Sequence, residues 1–466
     1  MDRRRWLRLS GTAIAVLLLA VCTACQDWTR YMGDAALDGN DAGETIIGPG
    51  NLAELSAAFA IATSSGPGVA STTSPVVASG VLFVGSGDGQ GGVHLVAAPI
   101  DDSSSGCSGN PKICQPLWTA SIPGSTTIGT PLVSGNVVYE TFGAAASPTS
   151  GELAAFDATG TTNCSGSPKT CQPLWTATAS SISGVNLDGQ TLFLDSVLGS
   201  STSSLEAFDA AGMSGCAGTP RVCQPLWTAA SNALGEPSVA DGKVYVARSL
   251  GTGAVEVYDE SGSSNCGGIP KICQPLFTVG LPAPSQGGVD VSGGTGYVET
   301  EGDPGPPAQL VAFDATGATC TGSPAVCPAE WTGPIGGSPS WDDVPAVANG
   351  RVYASDDSPL SITAFSANGS TGCTGAPKVC QPLFTTSSSF SGLAPALVTN
   401  GLVFEGGQAF DASGIGRCAG TPVVCQALWS APAGTPLVTS GAAVADGTLF
   451  VGRGDGLIHA YQIPGP

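Results

Sequence analysis

From residue 74 onward the chain is a succession of short apolar runs, each alternating with polar residues at a period of two and each broken by turn residues. One set of runs is rich in β-branched and aromatic residues: Val81–Val84, Val137–Tyr139, Thr191–Leu194, Lys243–Val246, Gly296–Val298, Arg351–Ala354, Leu402–Phe404 and Thr448–Val451. Most follow a two-residue turn such as Asp241-Gly242, Asn349-Gly350, Asn400-Gly401 or Asp446-Gly447. Asp-Gly and Asn-Gly favour tight hairpins because glycine takes a positive φ at little cost. A second set ends on an aromatic residue and, mostly, an aspartate: Leu153–Asp157, Leu205–Asp209, Val255–Asp259, Leu310–Asp314, Ile362–Phe365, Gln408–Asp411 and Ile458–Tyr461, with His94–Ala97 as a degenerate copy. Both sets predict strands.

A cassette follows the second set seven times. Its cysteine pairs are Cys107/Cys114, Cys164/Cys171, Cys216/Cys223, Cys266/Cys273, Cys320/Cys327, Cys373/Cys380 and Cys418/Cys425. Five of the seven run on into Gln-Pro-Leu and then Trp or Phe, which predicts a further strand. Repetition every 45 to 57 residues in units of four strands means propeller blades. Eight copies of the first three strands exist but only seven cassettes, and the missing fourth strand can come from Leu52–Phe59. The expectation is an all-β fold, a single eight-bladed β-propeller of four-stranded blades over residues 51–466, closed by the N-terminal strand joining the last blade. Joining both chain ends in one sheet removes an exposed edge.

Composition agrees with many turns: 67 Gly and 35 Pro without a collagen-like period, and few charged residues. Residues 1–25 read as an export signal, with Arg3, Arg4, Arg5 and Arg8 ahead of an apolar run from Ala13 to Val21 that is too short for a comfortable membrane span. The end of this segment, Cys22-Thr-Ala-Cys25, resembles a bacterial lipoprotein box with Cys25 as the lipidated residue; Cys22 and plain cleavage after Ala24 are the alternatives. Without it the chain keeps 11 basic and 35 acidic residues, a net charge of −24. Such a surface repels nucleic acid and leaves a lipid anchor as the route to a membrane. The expected location is outside the cytoplasm, anchored to the outer face of a bacterial membrane or secreted.

Residues 26–50 read as an extended lead-in. Here Asp27-Trp28-Thr-Arg-Tyr31, then Glu44-Thr45 and Asn51-Leu-Ala-Glu-Leu55 running to Phe59, resemble the entry segment of the pyrroloquinoline quinone (PQQ)-type β-propellers. The Phe-Asp-Ala-x-Gly pattern followed by Leu-Trp extends that resemblance over nearly the whole mature chain. It implies that Phe59, Trp118, Trp175, Trp227, Phe277, Trp331, Phe384 and Trp429 close the blades by packing on the glycine turn of an adjacent one. The family includes quinoprotein dehydrogenases and also non-catalytic lipoprotein scaffolds, so the motif speaks for the fold before any activity.

Fourteen regularly paired cysteines on an exported chain argue for disulfides within each cassette, stapling the loop between a blade's third and fourth strands. Zinc pairs stand two to four residues apart and are usually backed by histidine, and only His94 and His459 exist. The dehydrogenases of the resembled family hold PQQ with a stacking Trp, a Ca²⁺ ligated by Glu and Asn, an Asp base and often a ring formed by adjacent cysteines. No Cys-Cys dipeptide occurs here. Asp290, Glu299 and the Trp341-Asp342-Asp343 cluster supply acidic groups, but their spacing marks no calcium site. Arg453-Gly-Asp455 resembles an adhesion tripeptide yet lies where blade one has a hairpin turn. The sequence therefore favours a non-enzymatic binding or scaffold module at the cell envelope. No cofactor is expected, and the ligand is a protein, glycan or cell-wall component. A PQQ-dependent dehydrogenase or quinone-binding protein is the alternative.

Overall fold

The computed structural model describes residues 27–464 except 64–71, 88–90, 144–150, 180–181, 198–202, 303–306, 338, 340–342, 358–359, 389–394 and 433–437. Expectations for residues 1–25, including lipidation of Cys25, and for Trp341 and Asp342 lie outside the described residues. No α-helix occurs among those described. The strands form eight sheets, each built on antiparallel neighbours and extended by a parallel pairing with a segment from elsewhere in the chain. Blade 1, for example, consists of Val76–Ala78, Val81–Gly87, Val93–Pro99 and Trp118–Ala120.

The expectation of eight like, four-stranded blades is corrected in two respects. Seven blades, not eight, are each written by one uninterrupted repeat, from blade 1 to blade 7, whose last strand is Trp429–Ser430. The remaining sheet is composite. Val438–Ala445, Thr448–Arg453 and Leu457–Gln462 pair with the N-terminal strand Ser56–Ala62, and Leu52–Glu54 ahead of that strand is a 3₁₀ turn. Nor does any sheet stop at four strands. The cysteine cassette folds into a small antiparallel hairpin, with Cys164 opposite Cys171, and that hairpin lies against the blade before its own. Thr170–Cys171 runs parallel to the outer strand of blade 1, and the same pairing recurs around the ring. The amides of Thr119, Thr176, Thr228 and Thr278 donate to the Lys169, Arg221, Lys271 and Ala325 carbonyls, each at 3.0 Å. An outer strand left bare would expose a row of unpaired amides, and the next repeat's hairpin covers it.

The disulfides join Cys107 to Cys114, Cys164 to Cys171, Cys216 to Cys223, Cys266 to Cys273, Cys320 to Cys327, Cys373 to Cys380 and Cys418 to Cys425, with Cα atoms 3.8–4.0 Å apart. Each bond closes a loop of about eight residues, for which the chain-entropy estimate is about 2.5 kcal/mol. The pairing is as expected, but the picture of a staple confined to a loop is corrected. Only the first cysteine of each pair lies at the hairpin surface, half-buried. The second, at Cys114, Cys171, Cys223, Cys273, Cys327, Cys380 and Cys425, is at most 1 % exposed. Those seven sit in the apolar clusters of Phe59, Trp118, Trp175, Trp227, Phe277, Trp331 and Phe384 respectively, in each case the closing aromatic of the preceding sheet. The cause is the parallel pairing, which lays the hairpin's second strand along that sheet and carries its cysteine into the core. Each bond therefore ties a surface hairpin to the packing between two blades.

The blades interlock through the aromatic residues. Trp331 is 2 % exposed, and a Cβ built on Gly369 of the next blade would stand 2.5 Å from its ring. Gly160, Gly212, Gly262, Gly317 and Gly414 stand in the same relation to Trp118, Trp175, Trp227, Phe277 and Phe384. The indole nitrogens of Trp118, Trp227 and Trp331 donate to the Ala158, Glu260 and Ala367 carbonyls of those turns. Tyr139, Tyr245, Tyr297 and Tyr353 of the second strands donate likewise to Ala210, Ala315, Ala367 and Ala412. At the joint the pattern changes: Trp429 donates to the Leu55 carbonyl at 3.0 Å, and Phe59 meets Phe450 edge-on. The turns are held by their aspartates. Asp157 accepts from the Thr159 and Thr161 hydroxyls and from nearby amides, and these bonds outweigh desolvation to hold its carboxyl well below the usual range. Lys169, Arg221 and Lys378 donate to the Gly160, Gly212 and Gly369 carbonyls of these same turns.

Candidate functional site

The lead-in circles the ring. Trp28 exchanges both main-chain hydrogen bonds with Val77, the middle residue of blade 1's first strand. Thr29 then accepts from the Val133 amide of blade 2, and Arg30 donates to Asn186 and to the Leu187 carbonyl of blade 3. The carbonyls of Ala35, Ala36, Asp38 and Gly39 accept in turn from Val239, Val291, Val347 and Val398. Asn40–Asp41 pairs in parallel with blade 7, and Glu44 reaches the Gly447 amide of the closing sheet. Every sheet is thus engaged at its first strand or the turn that ends it, some of them more than once. Met32 and Leu37 are buried with Val344, Ala346, Ala396 and Val398. Gly288 and Gly39 have no side chain where Leu37 and Met32 pass: a Cβ there would stand 3.3 Å from Leu37 and 2.5 Å from Met32.

Polar residues interrupt this apolar axis on one side only. The residue before the lead-in contact is apolar in blades 1, 2, 6 and 7 (Val76, Leu132, Ala346, Leu397) but is Asn186, Ser238 and Asp290 in blades 3 to 5. Asn186 is satisfied, donating to the Ala35 and Pro237 carbonyls. Asp290 is fully buried, and neither carboxylate oxygen has a hydrogen-bond partner among the described residues. Burial, with Asp38 and Asp34 adding like charge, pushes its carboxyl well above the usual range. Burial and the Asp34 charge raise Asp38 to about 7.

Further carboxylates are buried on the second and third strands of the blades and ahead of a first strand. Asp195 of blade 3 accepts from Ser231 and is raised to about 7, mainly by burial, with Glu256 and Glu206 adding like charge. Glu206, raised to about 7 by burial, accepts from Ser196, and Glu256 pairs with Arg248 and accepts from Tyr258. Glu299 accepts from the Ser355 amide of blade 6, and Asp343 is buried. Glu140 is fully buried and accepts from the Thr141 amide. Most of these bonds stay within one blade, and the one from Ser355 to Glu299 joins blades 5 and 6. Among the described residues no three His, Cys, Asp or Glu side chains are grouped to hold a metal ion.

The other sequence candidates separate. His94 contacts the Thr63 carbonyl, whereas His459 meets Asp455 at 2.9 Å and stacks on Tyr461. Arg453 is fully buried and donates to the Tyr461 hydroxyl, so the Arg-Gly-Asp tripeptide is not displayed for adhesion. Among the described residues, clefts open at the surface in at least two places. One of about 570 Å³ runs along the flank of blade 6 beside Ser361, Thr363 and Thr385. The second, of about 390 Å³, lies between the lead-in and the first turns of blades 5 and 6.

No protein-family model matches the sequence, and no curated protein does either. Solved structures do match. The chain superposes on BamB from Moraxella catarrhalis with a TM-score of 0.51 at 13 % identity, over 84 % of this chain and 94 % of that one. A quinohemoprotein alcohol dehydrogenase from Comamonas testosteroni gives 0.54 at 12 % identity, over 94 % and 81 %. The fold shared with these structures is the β-propeller. A europium-containing methanol dehydrogenase gives 0.53 at 11 % identity, over 91 % and 89 %. At these identities the likeness is one of fold.

PQQ is a tricarboxylate, so a pocket for it needs cationic partners or a bound metal. The described residues around the axis do not fit that requirement. Asp290 and Asp38 are acidic, Met32 and Leu37 are apolar, and Arg30 is already committed to Asn186 and Leu187.

Proposed function

We propose that this chain is a non-enzymatic, exported β-propeller that serves as a binding or scaffold module at the cell envelope. The observation that carries the reading is the lead-in, which buries its own Met32 and Leu37 against blades 6 and 7 and ties all eight sheets to one segment. A ring locked in this way is a rigid display platform whose loops are free to vary. Seven disulfides support an oxidising location, and the Cys22–Cys25 motif supports a lipid anchor on Cys25. The partner is a protein, glycan or cell-wall ligand. The likeness to two dehydrogenases favours a second reading, a PQQ-dependent enzyme or quinone-binding protein. Reconstitution with PQQ and Ca²⁺, followed by dye-linked alcohol oxidation, separates the two. The scaffold reading expects no turnover; saturable quinone uptake with turnover sinks it. Pull-down from the native envelope then names the partner, and mass spectrometry of the mature N-terminus tests the diacylglyceryl group on Cys25.

A further inference from the structure

Seven cassette hairpins cover seven outer edges, and the ring has eight. The Cys107 hairpin lies on the closing sheet, and those from Cys164 to Cys418 lie on blades 1 to 6. None is left for blade 7, because the sheet after it takes its fourth strand from the N-terminus and brings no cassette. Among the described residues the outer strand of blade 7, Trp429–Ser430, pairs with its own third strand alone. Ser430 stands opposite Gln408 as Thr119, Thr176 and Thr228 stand opposite Val96, Ala154 and Glu206, so its main chain faces outward in the same way. Those threonine amides reach a hairpin carbonyl, whereas the Ser430 amide has no hydrogen-bond partner among the described residues. The side chains record the same gap. Trp429 is half-buried, while the other seven closing aromatics are at most 6 % exposed. Its cluster holds Leu52 and Leu55 where the other seven hold a cysteine, and Leu52–Glu54 is a 3₁₀ turn that offers no strand.

We propose that the outer edge of blade 7 docks an extended strand of a partner protein, added parallel to Trp429–Ser430 as the hairpins are added to the other sheets. A bare edge presents main-chain groups to another chain; those bonds supply affinity, and alternate side chains supply specificity. The chemistry of the occupant is written in the chain's own covering strands. Five of the seven carry a basic residue two positions before the buried cysteine: Lys112, Lys169, Arg221, Lys271 and Lys378. Between the two stands mostly Val or Ile, turned outward, while the small cysteine side chain is turned into the core. A basic, β-branched, small sequence is therefore what the row of established hairpin interfaces accepts, and blade 7 continues that row. Charge favours the same occupant. Glu54 is exposed one residue before the Leu55 carbonyl that receives the Trp429 indole, and the chain's net charge of −21 draws a basic segment from outside. A second copy of the chain has no hairpin to lend, since all seven are engaged on its own edges. The inference rests on the chain being a binding module and gives its partner a chemistry.

The test is a fluorescence-anisotropy titration of the full protein, disulfides intact, at physiological ionic strength. The probe is a labelled, disulfide-closed peptide of residues 373–381, Cys-Thr-Gly-Ala-Pro-Lys-Val-Cys-Gln, which in its own place covers blade 5. Every other outer edge is occupied, so the probe has one to join. Saturable one-to-one binding, weakened at least tenfold by Ser430→Pro and by Lys378→Glu in the peptide, supports the site. Proline removes the outward amide and is tolerated at edge positions whose amide faces solvent. Glu54→Lys changes an exposed residue and keeps the test decisive if Ser430→Pro fails to fold; it should weaken the peptide severalfold. Hydrogen exchange at the Ser430 amide should be fast in the free protein and slowed by the peptide. Four results overturn the proposal: no saturable binding, binding unchanged in both protein variants, a Ser430 amide already protected in the free protein, or a dimer that Ser430→Pro dissolves, which would make a second copy the occupant. Failure here leaves the binding-module reading standing, because only turnover with PQQ removes that one.

Discussion

Gly369 and Gly293 offer a controlled measurement of how much one aromatic dock holds two blades together. Both have φ of +59°, so alanine at either pays the same left-handed backbone penalty, about 1–2 kcal/mol. They differ in what a methyl would meet. At Gly293 nothing lies within 4 Å, whereas at Gly369 the Trp331 ring lies at 2.5 Å. Trp331 cannot retreat freely: it is 2 % exposed, packs near Tyr297 and Phe365, and donates to the Ala367 carbonyl. Overpacking of this kind costs about 1–3 kcal/mol. Gly369→Ala is therefore expected to cost about 2–5 kcal/mol and Gly293→Ala about 1–2 kcal/mol. The assay is urea unfolding of the oxidised protein with unchanged slope, reading the shift in midpoint. A cycle with Trp331→Ala sharpens it: once the ring is gone, Gly369→Ala should cost no more than Gly293→Ala. Equal costs for the two glycines in the wild-type background would refute the docking argument.

Replacing Cys266 and Cys273 together by alanine, which leaves no hydroxyl in the core at Cys273, is expected to cost about 2.5 kcal/mol. Because their hairpin lies on blade 3, hydrogen exchange should quicken at the Thr228 amide of that blade. Glu44→Ala removes an acceptor shared by the Ile46, Ile47 and Gly447 amides, and should lower stability by about 1–3 kcal/mol in thermal melts. Two opposed sets of carboxyls shape the pH profile. Asp157, Asp209, Asp259, Asp314 and Asp411 have lowered pKa values, so their contribution is present above the ordinary carboxylate range and is lost as pH falls through the lowered values. Asp38, Asp195 and Glu206, raised to about 7, and Asp356, raised to about 6, bind protons more tightly when folded, so they cost stability as pH rises from the ordinary range through those values. Urea midpoints should therefore peak at about pH 4–5 and fall on either side; a profile that rises steadily from pH 4 to 8 would contradict the assignment of the raised set.

The strands were legible in the sequence because period two and glycine turns are local signals, and both are written afresh in every repeat. Val137–Gly143 and its neighbours stand where the alternation put them. The pairing of Cys164 with Cys171 was legible for the same reason. That their hairpin lies on the preceding blade was not, since pairing within seven residues says nothing about which edge the hairpin covers. The burial of Cys171 beside Trp118 follows from that edge and was hidden with it. The blade count failed because counting strand cores treats the composite sheet as one more repeat. The path of the lead-in was hidden because it is held mainly by main-chain carbonyls of Thr29, Ala35, Ala36, Asp38 and Gly39, which carry no side-chain signature. One trace was available: Asn186, Ser238 and Asp290 break an otherwise apolar position in three successive first strands. The Arg453-Gly-Asp455 tripeptide, read in the sequence as a hairpin turn and not as an adhesion site, has its arginine at the end of a strand, buried against Tyr461.

The belt formed by residues 28–44 also sets an order in time. It is among the first parts of the described chain to be synthesised, yet its last contact, Glu44 to Gly447, spans 403 residues. Until the C-terminal strands exist, the belt has no complete circle to grip and Ser56–Ala62 has no sheet to join. Contacts so distant in sequence form slowly, because a long loop must be closed before they yield anything. The N-terminal segment must therefore wait through the making of seven blades, with Trp28, Met32 and Leu37 unburied meanwhile, and its docking is the event that turns an open arc into a ring.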